Sequence, residues 1–237
     1  DVKVGNGSFN KTIDIARNLS NSLVSVAKGA GLKCEAIITD MNQVLGKSAG
    51  HTLEMLECIK LITNKESDAR LKKITIELAA SILMMVKNIS KEDSYKKINE
   101  VLSNGLAAEK FEKMVHALGG SSNILSLYEK DLQLNSVKND LFSKKKGWVK
   151  EIHTRELGLI LIEMGGGRKQ VTDKINFSVG YENVSNVGQK IDISKPLLNV
   201  YTKTNEDFEN LKEKIENCFI ISDNEEKKIP EIYEVIK

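Results

Sequence analysis

Residues 39–57 read Thr-Asp-Met-Asn-Gln-Val-Leu-Gly-Lys-Ser-Ala-Gly-His-Thr-Leu-Glu-Met-Leu-Glu, and their reading decides the fold. A β-branched apolar run, Ala36-Ile37-Ile38-Thr39, ends in Asp40. A polar loop follows with Gly46 and Gly50, and then a helical pattern puts Leu53, Leu56, Ile59 and Ile62 on one side. This is a strand end, a loop and a helix start. Ligands collect at such places in α/β proteins because backbone N–H groups and strand-end side chains converge there. An ordinary strand-to-helix connection has the same pattern, so the stretch points to the α/β class before it points to a site.

Upstream, Val2–Val4 is a short strand and Gly5-Asn6-Gly7-Ser8 a turn, since Gly and Asn tolerate positive φ. Residues 11–28 are predicted as a helix that buries Ile15, Leu19, Leu23 and Val26, which recur at one-face spacing. Gly29 and Gly31 stop it, and residues 34–39 form the next strand. Strand, crossover helix and strand make a βαβ unit with parallel strands.

Downstream, helices are predicted over 49–63, 68–88, 91–103, 106–118 and 121–128. The second carries Leu71, Ile74, Leu78, Ile82 and Met85 on one face. Ser90 reads as a cap, and Asn104-Gly105 and Gly119-Gly120 as breaks. From residue 133 the character changes. A lysine turn at 144–147 precedes a strand over 148–152, and a helix over 154–164 runs into Gly165-Gly166-Gly167-Arg168. Short strands at 175–179, 187–191 and 197–202, a helix at 205–217 and strands at 219–222 and 232–236 complete the pattern. The expectation is an α/β protein in two parts. Residues 1–132 are the later part of a large α/β domain with parallel strands and many helices, and residues 133–237 are a small C-terminal α+β module.

The chain has 237 residues, with 35 Lys and Arg against 33 Asp and Glu, a net charge of +2. No global field marks it for nucleic acid. Cys34, Cys58 and Cys218 are scattered without a CxxC pair and read as reduced thiols at small core positions of a cytoplasmic protein. Apolar runs such as Ile82–Val86 are far too short to span a membrane. The sequence opens on Asp1, directly in a strand, and reads as a fragment of a longer polypeptide.

Several motifs admit two readings. Residues 5–12, Gly-Asn-Gly-Ser-Phe-Asn-Lys-Thr, nearly fit the phosphate loop G-x-x-x-x-G-K-[ST], but Asn10 stands where the second glycine belongs. Asp1 and Lys3 share one side of the first strand, either as a structural ion pair or with a charge facing an anionic substrate. His51, His116 and His153 have no metal-ligand spacing. Gly165–Arg168 suits either an anion cradle or a tight chain crossing. Glu54 and Glu57 lie three apart, which places one near the core boundary. A carboxylate there, beside loop carbonyls around Leu45 and Ser48, is either an oxygen-donor set for a monovalent cation or a salt-bridged glutamate.

The blocks 1–9, 39–46 and 50–54 resemble the thymidine and pyrimidine-nucleoside phosphorylase family. So do Asn104–Phe111, Met164–Arg168, Ser178-Val179-Gly180 and Val187-Gly188, in order along the chain. The resemblance implies a glycosyltransferase that splits thymidine or other pyrimidine nucleosides with phosphate as co-substrate. The products are free base and (deoxy)ribose-1-phosphate. The reaction passes through an oxocarbenium-like transition state, so proximity and charge stabilisation do the work. It implies a homodimer, no organic cofactor, no nucleic-acid partner and no membrane. It places the phosphate- and base-gripping groups upstream of Asp1, so no catalytic residue falls in this chain. Lys3, Gly5, Gly7, Ser8 and Phe9 fall in the vicinity of the substrate, at the edge of the base pocket. Leu45, Ser48 and Glu57 fall on the family's cation site, for which potassium is the implied ion. Ser48 stands in place of a commoner Ala, Asn6 in place of Ser, Ala or Gly, and Gly50-His51 in place of Gly-Asn. A non-catalytic interaction or regulatory module and a nucleotide hydrolase remain as readings from other classes.

Overall fold

The computed structural model describes residues 1–65 and 67–237. Strand β1 (Val2–Val4), helix α1 (Ile13–Gly29) and strand β2 (Ala36–Asp40) form the expected βαβ unit, with β1 and β2 parallel and Val4 opposite Asp40. Helices α2 (His51–Ile62), α3 (Ala69–Lys87), α4 (Lys91–Ser103), α5 (Leu106–Ala117) and α6 (Ile124–Asp131) follow. Their caps are local. The Asp68 side chain accepts from the Arg70 and Leu71 amides, and the Ser90 hydroxyl oxygen from the Asp93 amide.

The remainder contains β3 (Val137–Phe142), β4 (Gly147–Ile152), α7 (Thr154–Leu161), β5 (Gly180–Glu182), β6 (Lys190–Ile191), β7 (Pro196–Thr202), α8 (Asn205–Glu216), β8 (Phe219–Ser222) and β9 (Ile232–Ile236). Three three-stranded sheets result, ordered β1-β2-β9, β3-β7-β5 and β6-β4-β8. The chain is mixed helix and sheet, as expected. Among the described residues β1–β2 is parallel and the other named pairings are antiparallel. Five consecutive helices separate β2 from β3, so no second crossover extends the sheet there.

The strongest departure from the sequence reading lies on α1. Ala16, Ser20 and Val24 face the sheet, while Ile15, Leu19, Leu23 and Val26 are 49%, 42%, 51% and 71% exposed. Small side chains let the helix lie close over Val2, Val4, Ala36 and Ile38, and the Ser20 hydroxyl is satisfied by donating to the Ala16 carbonyl. On α3, Leu71 and Ile74 are buried but Ile82 is exposed. Of the cysteines, only Cys218 is a core residue; Cys34 is half-buried and Cys58 exposed. The polar strand β3 was not legible, because its alternation carries few apolar residues. Residues 175–179 precede a strand rather than form one, and residues 187–191 contribute only Lys190–Ile191.

The largest core lies in the C-terminal part, around Val149, Ile152, Tyr181, Val184, Leu197, Leu198 and Val200. Val44 and Ala49, from the loop after β2, pack against it. Strand β9 returns to pair with β2. Ile38→Ala, at a fully buried sheet position, should therefore cost about 2–5 kcal/mol. Val26→Ser, on the outward face of α1, should stay within about 0.5 kcal/mol. Urea unfolding of the two variants checks the reversal of the predicted helix face.

Candidate functional site

Because β1 and β2 are parallel, their C-terminal ends open at one edge, and the loops 5–12 and 41–50 leave side by side. Asp40 stands there, 1% exposed. A buried carboxylate must be paired. Its Oδ2 accepts from Arg70 Nη2 at 2.9 Å, and Oδ1 accepts from Asn42 Nδ2 (2.7 Å), the Asn42 amide (3.2 Å) and the Tyr233 hydroxyl (3.1 Å). Arg70 Nη2 also donates to the Asp40 carbonyl at 3.0 Å. Lys3 lies one residue back on β1, where its ammonium meets Asp1 Oδ2 (2.9 Å) and donates to Thr39 Oγ1 (2.8 Å). Burial, with the Arg70 charge nearby, pulls the Lys3 ammonium below the usual lysine range.

The loop after β1 does not offer its amides to a phosphate. Gly5 N–H donates to the Asn10 carbonyl, Gly7 N–H to the Met41 carbonyl and Ser8 N–H to the Gly5 carbonyl, at 3.0, 3.0 and 3.1 Å. Lys11 Nζ is turned onto the Asn6 carbonyl, and Thr12 caps α1. The phosphate-loop likeness therefore resolves into a closed turn. Sequence reasoning missed what Asn6 does. Its Nδ2 donates to the Ile152 carbonyl (2.8 Å) and its Oδ1 accepts from the Thr154 amide (2.9 Å), joining the β1 loop to the start of α7. The one available signal was an amide side chain where the resembled family has small residues. Gly5, Gly7 and Ser8 are internal to this turn, whereas Phe9 is 93% exposed.

The loop 43–52 is zipped to the C-terminal part. Gln43 Oε1 accepts from the Val187 amide (2.9 Å), and Ala49 and Tyr181 exchange two backbone bonds at 3.0 and 2.7 Å. Gly50 has φ +128, and a Cβ there would lie 2.5 Å from the Val179 carbonyl oxygen, so this close approach requires glycine. Glu57 reaches back under the loop. Its Oε1 accepts from the Lys47 amide (2.8 Å), and its Oε2 from the Ser48 amide (3.2 Å) and the Ser48 hydroxyl. A Cβ on Gly46 would collide with this carboxylate. Glu54 instead accepts from the Gly50 amide at 2.9 Å. Ser48 and Glu57 are thus brought together, and Leu45 precedes Gly46 on the same loop. Among the described residues, the Leu45 and Ser48 carbonyls accept no hydrogen bond.

The three histidines are separate. His51 Nε2 lies 3.1 Å from the Gly166 carbonyl oxygen with its ring edge-on to Phe177, His153 neighbours Glu151, and His116 is exposed on α5. The glycine run is a chain crossing: α7 widens over residues 162–166, Gly165 takes φ +92, and Arg168 Nε donates to the Asp173 carbonyl. Among the described residues, no three His, Cys, Asp or Glu side chains meet as a metal cluster.

Between the strand-end loop and α7 lies a cavity of 250 Å³. Lys3, Asp40, Ser48 and Glu54 give it a polar side, and Leu157, Leu161 and Tyr181 an apolar one. A flat, polar-edged ring suits such a wall, because the apolar side takes a face and the charged side an edge. A more open cavity of 460 Å³ lies by Gln43, Lys47, Arg70 and Asn186. Lys47 is also held below the usual lysine range by burial.

Residues 148–222 match the pyrimidine nucleoside phosphorylase C-terminal domain. This bears out the family resemblance carried by the motifs, over that stretch. Over 234 residues the chain is 37% identical to the thymidine phosphorylase of Colwellia psychrerythraea strain 34H, covering 98% of this chain and 53% of that protein. The chain thus spans about half the length of the curated relative it matches.

The knot at Asp40 makes a pH prediction. Burial beside the Asp40 carboxylate pushes the Tyr233 phenol up to about 12. The unfolded chain loses that proton near pH ~10, so the contribution is fully present below pH ~10 and is lost as the pH rises towards about 12. Ultraviolet phenolate titration should show one ionisation near 12 that Tyr233→Phe removes. The same variant should flatten the alkaline fall in stability; an unchanged slope would separate Tyr233 from Asp40.

Proposed function

We propose that this chain is the C-terminal part of a phosphorylase that splits thymidine or other pyrimidine nucleosides with phosphate, releasing the base and (deoxy)ribose-1-phosphate. The observation that carries this reading is the 37% identity to a thymidine phosphorylase along 98% of the chain. Residues 1–132 then belong to the later part of the central domain and residues 133–237 to the C-terminal module, with β9 reaching back to β2. The 250 Å³ cavity supplies one wall of the base site. Lys3 stands at its charged edge, and the turn Gly5–Phe9 frames the strand end. The groups that grip phosphate and the pyrimidine edge come from the rest of the enzyme. Two observations support that division. The amides of the glycine turn are consumed internally, and Lys3 is already bonded to Asp1 and Thr39.

The isolated chain should release no free thymine from thymidine and phosphate, as followed by chromatography of the base. Turnover at the rate of a complete phosphorylase would overturn the division of labour. Turnover absent even in the presence of the remaining portion would overturn the phosphorylase reading itself.

For the cation, the oxygen chemistry fits. Among the described residues the Leu45 and Ser48 carbonyls accept no hydrogen bond, Glu57 brings a carboxylate to the same loop, and hard monovalent cations take such oxygens. We assign potassium to Leu45, Ser48 and Glu57, where it would add charge balance to the loop end and no step of the chemistry. Potassium chloride should raise the melting temperature above that in tetramethylammonium chloride at equal ionic strength, following mass action. Glu57→Gln should abolish the difference. Equal melts of the unsubstituted chain in both salts would refute the assignment.

A further inference from the structure

The open cavity of 460 Å³ beside the first turn of α3 has no part in the phosphorylase reading. Its volume falls in the range of small-molecule sites, about 300–1,000 Å³. Its wall includes Gln43 and Lys47 from the loop after β2, Arg70 from α3, and Asn186 and Lys228 from two C-terminal loops.

Three of these side chains carry unanswered polar groups. Arg70 is 5% exposed. Its Nη2 is spent on Asp40, and its Nε and Nη1 have no hydrogen-bond partner among the described residues. Asn186 Oδ1 is likewise buried without a donor. Gln43 is 4% exposed; its Oε1 accepts from the Val187 amide, and its Nε2 donates to no described residue. Buried polar groups are ordinarily paired, so an unpaired set around one cavity marks where a ligand's polar atoms go.

The charges decide what kind of ligand. Two carboxylates line the cavity, and both are engaged. Asp68 accepts from the Arg70 and Leu71 amides, and Glu231 pairs with Lys73 at 2.7 Å. The ion pairs here, Arg70–Asp40 and Lys73–Glu231, leave Lys47 and Lys228 without a carboxylate among the described residues. Lys47 is half-buried, and its Nζ donates to the Val184 carbonyl at 3.3 Å. Burial holds this ammonium below the usual lysine range, a cost that a neighbouring anion offsets. The α3 N-terminus lies in the same wall and adds the positive end of a 19-residue helix.

We infer that this cavity binds a small sugar phosphate. The phosphate sits among Lys47, Lys228 and Arg70, where charge-assisted bonds are strongest. A sugar hydroxyl donates to Asn186 Oδ1, and a second oxygen accepts from Gln43 Nε2. A bare phosphate answers the cations but is far smaller than the cavity. Binding here needs no turnover by the chain.

Calorimetric titration of the chain with ribose 5-phosphate tests this, with inorganic phosphate and plain ribose as comparison probes. One-to-one, saturable binding of ribose 5-phosphate is expected, at least about tenfold tighter than inorganic phosphate, and none of ribose. Hydrogen exchange should slow over residues 43–47, 68–70 and 186–189. Lys47→Gln with Lys228→Gln should weaken binding by more than about tenfold. The charge-matched pair Lys110→Gln with Lys145→Gln, exposed elsewhere, should leave it unchanged. Lys228→Glu alone, at an exposed position, keeps the fold and should weaken binding in the same direction. No binding of ribose 5-phosphate, equal binding of ribose, indifference to the Lys47 and Lys228 variants, or protection confined elsewhere would overturn the proposal. Equal affinity for inorganic phosphate would overturn the sugar assignment. None of these readouts involves thymine release, so each leaves the phosphorylase reading where it stands.

Discussion

A buried carboxylate cannot be left alone, and most of this structure's strand-end geometry follows from satisfying Asp40. Stranding such a charge by removing its partner costs about 3–5 kcal/mol. Asp40 draws its partners from separate parts of the chain: Arg70 from the first turn of α3, Tyr233 from β9, and Asn42 from the following loop. Asn42 then carries the constraint onward, because its Oδ1 accepts from the Asn6 amide at 3.0 Å. Four segments distant in sequence thus meet at one strand end. The arrangement specifies position more than it adds net stability, since a buried ion pair roughly balances its own desolvation.

The second constraint is the seam between the loop 41–52 and the C-terminal part. Backbone bonds at Lys47, Ala49 and Thr52 and the Gln43 side chain cross it, and the two-sided Asn6 contact ties the neighbouring β1 loop to the same part. The cavity lies on this seam, so its polar side is set by β1, β2, the loop after β2 and the start of α2, and its apolar side by α7 and Tyr181. Glu57 fixes the loop from beneath. Its bonds to Lys47 and Ser48 hold the loop backbone, on which, among the described residues, the Leu45 and Ser48 carbonyls accept no hydrogen bond.

The sequence resolved what is local. Helix limits followed from caps and breaks, as at Ser90 and Asn104-Gly105, and β8 and β9 fell on the predicted residues. The parallel pair followed from a crossover helix of sufficient length. What escaped was what depends on distant partners. Asn6 and Arg70 carry no local pattern, and their roles exist only once Ile152 and Asp40 are beside them. β3 is an edge strand with polar alternation, so apolar periodicity could not find it. The site residues divide along the same line. Ser48 and Glu57 meet because a helix and its preceding loop bring them together. Phe9 was placed by resemblance alone and stands in solvent.

Helix α1 shows why periodicity and burial are different statements. The spacing of Ile15, Leu19, Leu23 and Val26 establishes that they share a face, and on that point the reading holds. It does not establish which neighbour the face meets. Close packing on a short sheet selects the small residues Ala16 and Ser20 with Val24, because a helix carrying large side chains inward would stand farther off and lose contact with Val2 and Val4. The larger side chains are then available to a neighbour lying alongside. An apolar stripe set about 100° from a well-packed one therefore gives α1 two apolar faces, of which the described residues cover one.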